Sequence, residues 1–553
     1  MVRTVLGYLT RPIRGLHEAA YLLAFFSLLS QVLALVRDRT FAHLFGAGPV
    51  LDAYFGAFKI PDLVFAFLTL FVSSYALVPL LSSREKKEQG ALLGNVLFTF
   101  GCFSVVAAGL LWFLLPHLIP VFYPGFSPKV LHDTVLLSRI MLLQPILLGL
   151  SSIATSVVQV LRQFIIYALA PILYNLGIIV GALVFYPLWG IEGLAWGVVF
   201  GAVLHLSAQV IPILGNAKHV MRPTLTTLRT SIMEVALPSM PRALALSTQQ
   251  VLLLLFAGIA SLAAVGTVSA FSFAFNLQSV PLTVIGISYA AAVFPALSAL
   301  HRNKDEIGFV REVWASARHI IFWTAPAITL IIVLRAHIVR LVLGSGNFSW
   351  DDTRLTAAIL ALFAVSLISQ SLILIFSRAY YAAHRTKIPM LVNFAGAFAA
   401  ILGAFFGVLW VAYAPLPRFF LEALLRVADV PGTSVLMIPL AYSGAMIAAS
   451  FAFAYLFARD FGFEERTWGT MGSSFAASIL GAGAAYGVLQ LLGPDLPLET
   501  TFGLFVQAVA AGAAGLAIWA LTLYLLKSQE FAETRSVVLG KLSRKRHESS
   551  LNT

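Results

Sequence analysis

Five ionisable side chains lie close together near the start of an otherwise apolar chain: Arg37, Asp38, Asp52, Lys59 and Asp62 fall within 26 residues. A charge inside a membrane costs about 2.5–3.5 kcal/mol on insertion scales, so such charges usually face a cavity or one another. Two interpretations stay open: a salt-bridged helical hairpin at the outer interface, or the lining of a water-filled cavity. In the second, the guanidinium of Arg37 would bind an anion such as phosphate through two parallel hydrogen bonds.

Arg242 is a second candidate cation, because it follows Pro238 and Pro241 and comes two turns after Glu234. Two prolines so close together loosen a helix and free backbone carbonyls. Such interruptions mark moving or ligand-binding parts of transporters, whereas an interfacial Arg–Glu pair is the alternative. Neutral polar side chains more often join helices by hydrogen bonds, and four are nearby: Gln249, Gln250, Asn276 and Gln278.

The motifs of common enzyme classes are missing from the sequence. It has no phosphate-binding loop of the form G-x-x-x-x-G-K-[ST], and its 11 histidines and single cysteine, Cys102, lack metal-ligand spacing. A membrane-embedded glycosyltransferase would need a catalytic carboxylate in a sizeable outer loop, and Asp351-Asp352 lies in a short connection. We therefore expect a carrier without cofactor or metal, rather than an enzyme.

Composition identifies the elements that must position these residues. Of the 553 residues, 59% are hydrophobic and 11% are charged, with a mean hydropathy of +0.91. A soluble protein has about 25% charged residues and could not bury so much apolar surface. The chain is therefore predicted to be an all-α integral membrane protein, and the net charge of +12 is assigned to cytoplasmic loops rather than to nucleic-acid binding.

About fourteen stretches are long and apolar enough to cross a bilayer as helices. They are predicted near 18–45, 50–82, 90–115, 134–160, 165–187, 191–214, 232–262, 266–299, 314–343, 354–380, 388–413, 434–458, 468–492 and 501–526. In the sixth, Gly193, Gly197 and Gly201 recur every four residues, which favours close packing against another helix.

The distribution of Lys and Arg predicts that both termini are cytoplasmic. With that orientation the inner connections hold 25 of the 36 cations and the outer side holds 8. The predicted parts are an interfacial segment 1–17, an N-lobe 18–215, a cytoplasmic linker 216–231, a C-lobe 232–460, two added helices in 461–527 and a basic tail 528–553. In the outer connection 414–432, Pro415, Pro417 and Phe419-Phe420 indicate an interfacial loop.

Two matched stretches indicate an internal repeat. Residues 53–60 resemble residues 270–277, at an offset of 217, and residues 76–81 resemble residues 292–297, at an offset of 216. Six spans lie between the copies, so both copies point the same way through the bilayer. This predicts two six-helix bundles in a parallel pseudo-twofold repeat, followed by two C-terminal helices.

An ordered set of short motifs resembles the MurJ/MviN family of lipid II flippases. The set begins with Val36-Arg37-Asp38 and continues with Phe45-Gly46-Ala47-Gly48, Asp52-Ala53, Ala57-Phe58-Lys59-Ile60-Pro61 and Val78-Pro79. Later pieces are Pro124-Gly125-Phe126, Ala170-Pro171 through Asn175, Ala195-Trp196-Gly197 through Gln209 and Pro212, and Tyr381 through Lys387 and Pro389. Together they cover the twelve-helix core.

The resemblance implies a flippase of the bacterial inner membrane that moves the undecaprenyl-pyrophosphate-linked precursor of peptidoglycan to the outer leaflet. Its partners would be lipid II or a related polyprenyl-linked substrate, membrane lipids and enzymes of cell-wall synthesis. It also implies a cationic central cavity for the head group and a lipid-tail groove at the last two helices. Arg37, Asp38, Asp52 and Lys59 match the family pattern.

Three positions depart from that pattern. Family members usually carry further cavity arginines where this chain has Gln31, Phe65 and Asn276. The predicted substrate-binding residues are therefore Arg37, Asp52, Lys59, Asp38, Arg242, Asn276 and Gln31. Because the cavity is less cationic, two alternatives stay open: an exporter of another lipid-linked saccharide or small molecule, and a non-transporting envelope scaffold.

Overall fold

The computed structural model of the protein describes residues 11–12, 15–214, 225–464, 466–494 and 500–536. Nearly all of these residues are helical and none forms a strand, which confirms the predicted all-α class. Most of the predicted interfacial segment 1–17 and of the basic tail 528–553 lies outside the described residues, as does 216–224 of the predicted linker.

The chain divides into two compact units. The first contains residues 1–272 and 345–352, and the second contains residues 273–344 and 353–553. The helices of the first unit are α1 (Leu16–Phe45), α2 (Pro49–Val72), α3 (Ser74–Ser82), α4 (Lys86–Phe122), α5 (Pro128–Met141), α6 (Leu143–Val160), α7 (Phe164–Val180), α8 (Tyr186–Trp189), α9 (Glu192–Leu214) and α10 (Leu225–Ser261).

Helix α11 (Thr267–Pro281) begins in the first unit and continues into the second. The helices after it are α12 (Ser288–Arg302), α13 (Glu306–Leu343), α14 (Trp350–Ala364), α15 (Leu367–Ala382), α16 (Lys387–Tyr413), α17 (Pro415–Leu425), α18 (Met437–Phe461), α19 (Arg466–Leu492) and α20 (Thr501–Leu525). Helix α17 lies inside the connection 414–432, so the predicted loop is in part a helix.

The membrane spans agree in number with the prediction. Within the described residues, thirteen helical stretches are long and apolar enough to cross a bilayer, and a fourteenth arises if the bent pair α14 and α15 forms one span. Several are longer than the bilayer requires. Helix α4, for example, has 37 residues, or about 55 Å, against a hydrocarbon core of about 30 Å.

Helix α10 differs from its prediction in two respects. It begins at Leu225, so residues 225–231 of the predicted linker are helical. It also runs without interruption through Pro238 and Pro241. In the division into two compact units, α10 belongs to the first unit, where it packs along α2. The two predicted lobes, with their boundary at 216–231, stay a prediction.

The glycines that recur in the sequence are explained by close packing against α9 of both α7 and the π-helical turn Gly181–Phe185 that follows it. A Cβ atom added to Gly197 would lie 2.4 Å from the Cα of Gly181, and one added to Gly177 would lie 2.2 Å from the Cα of Gly201. Only glycines permit two backbones to approach this closely. The predicted packing role of Gly197 and Gly201 is therefore confirmed.

The two copies of the predicted repeat fall on corresponding elements. The first copy lies in α2 and α3, which are separated at Ser73. The second lies in α11 and α12, which are separated by the π-helical turn Leu282–Ile287. Each copy is thus a helix, a local irregularity and a second helix with an internal proline. The irregularity is a non-helical residue in the first copy and a π-helical turn within a continuous helix in the second. The parallel relation of two whole bundles stays a prediction.

Candidate functional site

One face of α1 lines a cavity in the first unit. Its residues recur at helical spacing through Ser27, Ser30, Gln31, Ala34 and Arg37. The opposite face exposes large apolar side chains, among them Tyr21, Phe25, Leu28, Val32 and Val36. Between Tyr21 and Val36 this face carries only apolar side chains, so this stretch suits contact with lipid, and α1 separates lipid from a polar interior.

Arg37 is held at the cavity wall by two neighbours. Its Nε and Nη2 donate to Oδ1 of Asp38 at 3.0 and 2.8 Å, and Nη1 donates to Oδ1 of Asn175 on α7 at 3.1 Å. Asn175 is itself fixed, since its amide donates to the carbonyl of Pro171 at 3.0 Å. A guanidinium has five N–H groups. Three of those of Arg37 donate to Asp38 and Asn175, so two are left for a ligand. Asp38 is buried behind Arg37 and orients it.

The cavity has a volume of about 1270 Å³, and polar side chains from six helices reach it. Arg37 and Arg242 are its only charged lining residues within the described part of the chain, and no carboxylate lines it. Among the neutral lining groups are Gln31, His205 and Gln209. A chamber with two cations and no anion at its surface is suited to a negatively charged ligand.

Arg242 is exposed at the cavity and does not form the ion pair that the sequence offered as an alternative. Glu234, which lies two turns before Arg242 on α10, instead accepts a hydrogen bond from Nη2 of Arg84. The described residues contribute no carboxylate partner to Arg242. Its charge is therefore available at the cavity, whereas Glu234 is paired.

His205 and Asn175 are cavity residues that the predicted site did not include. Nδ1 of His205 lies 2.7 Å from Oγ of Ser151, which fixes the imidazole ring at the wall. His205 and Gln209 are four residues apart on α9 and so share a face. This spacing and the polar face of α1 could have indicated cavity residues from the sequence. The sequence favours another interpretation, because neutral polar residues in spans usually form contacts between helices.

Asp52 does not line the cavity. It is buried, and its carboxylate accepts hydrogen bonds from the backbone N–H groups of Gly266 and Ser269 at 2.6 and 2.9 Å, and from Oγ of Ser269 at 2.6 Å. These donors belong to the first turn of α11, where free N–H groups and the helix dipole favour a negative charge. Asp52 therefore caps α11.

Lys59 also lies away from the cavity lining. Its ammonium interacts with the charge of Asp62 one turn further along α2. Asp62 also accepts a hydrogen bond of 3.3 Å from Nε2 of Gln144, and the same nitrogen donates to the hydroxyl of Tyr174 at 3.2 Å. The predicted cluster of five charges thus separates into the Arg37–Asp38 pair, the Asp52 cap and a Lys59–Asp62 network.

The departures from the family pattern fall in different places. Gln31 lines the cavity, whereas Phe65 is a half-buried residue of α2 outside the lining. Asn276 lies on α11 in the second unit, where its backbone carbonyl accepts a hydrogen bond from Oγ of Ser279 at 2.7 Å. The neighbouring Gln278 accepts a 3.2 Å hydrogen bond from Gln370 on α15, which confirms its predicted role between helices.

No group of three His, Cys, Asp or Glu side chains in the described ranges is arranged to hold a metal ion. The lining of the cavity offers guanidinium, amide, hydroxyl and imidazole groups.

Comparison with known proteins gives a family for the chain. The sequence model of the family described as lipid II flippase MurJ matches residues 41–501. The lipid II flippase MurJ of Burkholderia cenocepacia is 25% identical over 396 residues, which cover 68% of this chain and 75% of that protein. The probable lipid II flippase MurJ of Buchnera aphidicola subsp. Acyrthosiphon pisum is 28% identical over 372 residues, covering 66% and 73%.

Solved structures show the same fold. A lipid II flippase MurJ in an inward closed conformation superimposes with a TM-score of 0.72 at 20% identity, covering 92% of this chain and 99% of that one. An inward-facing multidrug transporter of the MATE family, in the MOP superfamily, gives a TM-score of 0.62 at 15% identity, covering 80% and 96%.

Proposed function

We propose that this chain, which belongs to the lipid II flippase MurJ family, carries lipid II from the inner to the outer leaflet of the bacterial inner membrane. The family model spans most of the chain, from residue 41 to residue 501. Many apolar helices and this family membership make the chain a multi-pass inner-membrane transporter. The undecaprenyl-linked peptidoglycan precursor is the substrate that the names of its relatives support.

The observation that carries the proposal is the cavity wall at Arg37. The pyrophosphate and sugar head of such a lipid cannot cross about 30 Å of hydrocarbon alone, because its charges and hydroxyls would lose their hydrogen bonds to water. Arg37 keeps two N–H donors for a phosphate after Asp38 and Asn175 have oriented it. Arg242 adds a second positive charge, and Gln31 and His205 add polar contacts.

In this proposal, Asp38, Asp52 and Lys59 do not contact the substrate but support the structure around the cavity. Asp38 orients the guanidinium, Asp52 fixes the start of α11, and the Lys59–Asp62 network stabilises α2 against α6. Asn276 lies in the second unit, and its contact with the substrate stays a prediction. A cavity that retains only Arg37 and Arg242 still binds an anion, since one well-placed guanidinium forms charge-assisted bidentate hydrogen bonds.

The transport step that fits two predicted six-helix bundles is alternating access, in which the bundles rock and expose the head group first inward and then outward. Both termini are cytoplasmic in this proposal, as the cation distribution predicts. A membrane potential that is negative inside favours outward movement of an anion by about 2.3 kcal/mol per uncompensated charge per 100 mV. Enzymes that use lipid II in the outer leaflet are the expected partners.

Replacement of an essential lipid II flippase tests the proposal. Cells depleted of their own flippase are expected to grow when this chain is expressed, and to stop growing with Arg37→Ala. Loss of hydrogen bonds to a charged group costs about 1.5–3 kcal/mol, so flipping by the purified variant in vesicles should fall by about tenfold to a hundredfold. Arg37→Lys keeps the charge but loses the planar fork, and should retain intermediate activity.

Arg139→Ala is the matched control. Arg139 stacks on Trp112 and donates to its carbonyl at 3.1 Å, and it is not among the cavity lining residues. Flipping should therefore be unchanged in this variant. Normal growth with Arg37→Ala would overturn the role of Arg37. If the inserted wild-type chain neither supports growth nor flips lipid II, the proposed substrate is wrong, and the chain is either an exporter of another lipid-linked saccharide or small molecule or a non-transporting envelope scaffold.

A further inference from the structure

The connection between α16 and α18 contains the amphipathic helix α17, and its apolar side faces away from the protein. Leu416, Phe419, Phe420 and Leu424 are spaced at i, i+3, i+4 and i+8, and so lie on one helix face. Their exposed fractions are 80, 59, 67 and 60%. Single exposed apolar residues are ordinary, but a contiguous stripe of this kind marks a contact surface.

The polar side of α17 is fixed to the second unit. Glu422 is buried and accepts hydrogen bonds from Nε of Arg418 at 2.7 Å and from Oγ1 of Thr433. Leu425 is buried beside it. The helix therefore cannot turn its apolar stripe inward without unpairing a buried carboxylate, which costs several kcal/mol.

A second set of contacts fixes the end of α17. Arg426 ends the helix in the left-handed conformation with φ 59°. Nε and Nη2 of Arg354 donate to its carbonyl at 3.0 and 2.8 Å, and Nη1 donates to Asp429 at 2.8 Å. The hydrogen bond from Arg354 lowers the pKa of Asp429 to about 2, so this pair is ionised at neutral pH.

The apolar stripe continues the lipid-facing surface of the preceding span. Only Ala414 separates α16 from α17, and the last turn of α16 exposes Trp410 and Tyr413. Trp and Tyr are enriched where a span meets the head-group region of the bilayer. Helix α17 thus starts at the depth of the interface, and its stripe adjoins surface that lipid already covers.

We propose that α17 is an interfacial helix whose face of Leu416, Phe419, Phe420 and Leu424 inserts into the lipid at the bilayer surface. Such helices lie in the plane of the interface with their apolar side about 5–10 Å deep and their polar side away from lipid. The cation distribution predicts that this is the outer leaflet. The inserted helix anchors the α16–α18 hairpin in the membrane independently of what the protein transports.

Nitroxide accessibility tests the inserted face. In a Cys102→Ser chain reconstituted into vesicles of phosphatidylethanolamine and phosphatidylglycerol, Phe420→Cys carries a spin label on the stripe. Ala428→Cys carries the same label at an exposed position after the helix. The collision ratio of oxygen, which partitions into lipid, to a water-soluble nickel chelate should be several-fold higher at 420 than at 428.

Two outcomes would overturn the proposal. Equal nickel accessibility at both positions would place the stripe in water. Inaccessibility of residue 420 to both reagents, with residue 428 reached by nickel, would mean that protein covers the stripe. Because Phe420 is exposed and makes none of the polar contacts that hold α17, its replacement leaves the helix in place, and circular dichroism of both labelled proteins checks this.

Discussion

The carboxylate of Asp52 joins two helices that are more than 200 residues apart in the chain. It accepts three hydrogen bonds from Gly266 and Ser269 at the first turn of α11. Side-chain caps of this kind stabilise a protein by about 0.5–2 kcal/mol in water. Inside a membrane-embedded unit no water can replace the lost acceptor, so the cost lies at the upper end of that range.

Asp52→Ala should therefore lower the stability of the protein without weakening substrate binding. We expect a reduced melting temperature in detergent and a smaller folded yield, with an unchanged substrate concentration for half-maximal flipping by the folded fraction. Glu88→Gln is the control, because Glu88 is an exposed acid in the first turn of α4. A stable Asp52→Ala protein with weakened substrate binding would return Asp52 to the binding site.

Arg37 and Asp52 differ in how far their roles could be predicted from the sequence. A charge in a span is conspicuous, so Arg37 and Arg242 could be assigned to a cavity from sequence. Gln31 was assigned through the family resemblance, and all three residues line the cavity. The role of Asp52 could not be read in the same way, since its donors include two backbone N–H groups, which carry no sequence signal. Only the three-dimensional approach of α11 reveals the cap.

At the scale of helices, contact between backbones is the feature that the sequence predicts best. The four-residue glycine spacing indicated a packing face. There α7 meets α9 through Gly177 and Gly201, and the π-helical turn that follows α7 meets α9 through Gly181 and Gly197. The prolines of α10 were less informative. Proline costs a hydrogen bond and a steric clash in a free helix, but packing along a neighbouring helix can keep it continuous, as α10 is through Pro238 and Pro241.

Gly197→Ala should destabilise the first unit. The new Cβ would lie 2.4 Å from the Cα of Gly181, so the helices must separate, and overpacking of this kind costs about 1–3 kcal/mol. Thermal unfolding in detergent, followed by size-exclusion fluorescence, measures the effect. Gly101→Ala is the matched control, because nothing lies within 4 Å of its added Cβ. Equal melting temperatures would contradict the close contact.

At the scale of the whole molecule, the number of crossings decides on which side each connection lies. The uncertain crossing is the pair α14 and α15, which are separated by a bend of 42°. A re-entrant hairpin must nearly reverse its direction, whereas a bend of 42° keeps the chain advancing. The two helices have 15 and 16 residues, or about 45 Å of length, which is enough to cross a core of about 30 Å.

Labelling from one side of the membrane can verify this crossing. In a Cys102→Ser chain, Asn303→Cys lies before the pair and Ala428→Cys lies after it. If α14 and α15 form one span, three crossings separate the two positions. An impermeant maleimide added to intact cells should then label 428 and not 303, and both should react once the membrane is permeabilised. With a re-entrant pair only two crossings would remain, and 303 and 428 would share the cytoplasmic side. Protection of both positions in intact cells would therefore contradict fourteen spans. It would also place α17 at the inner leaflet and separate the two termini.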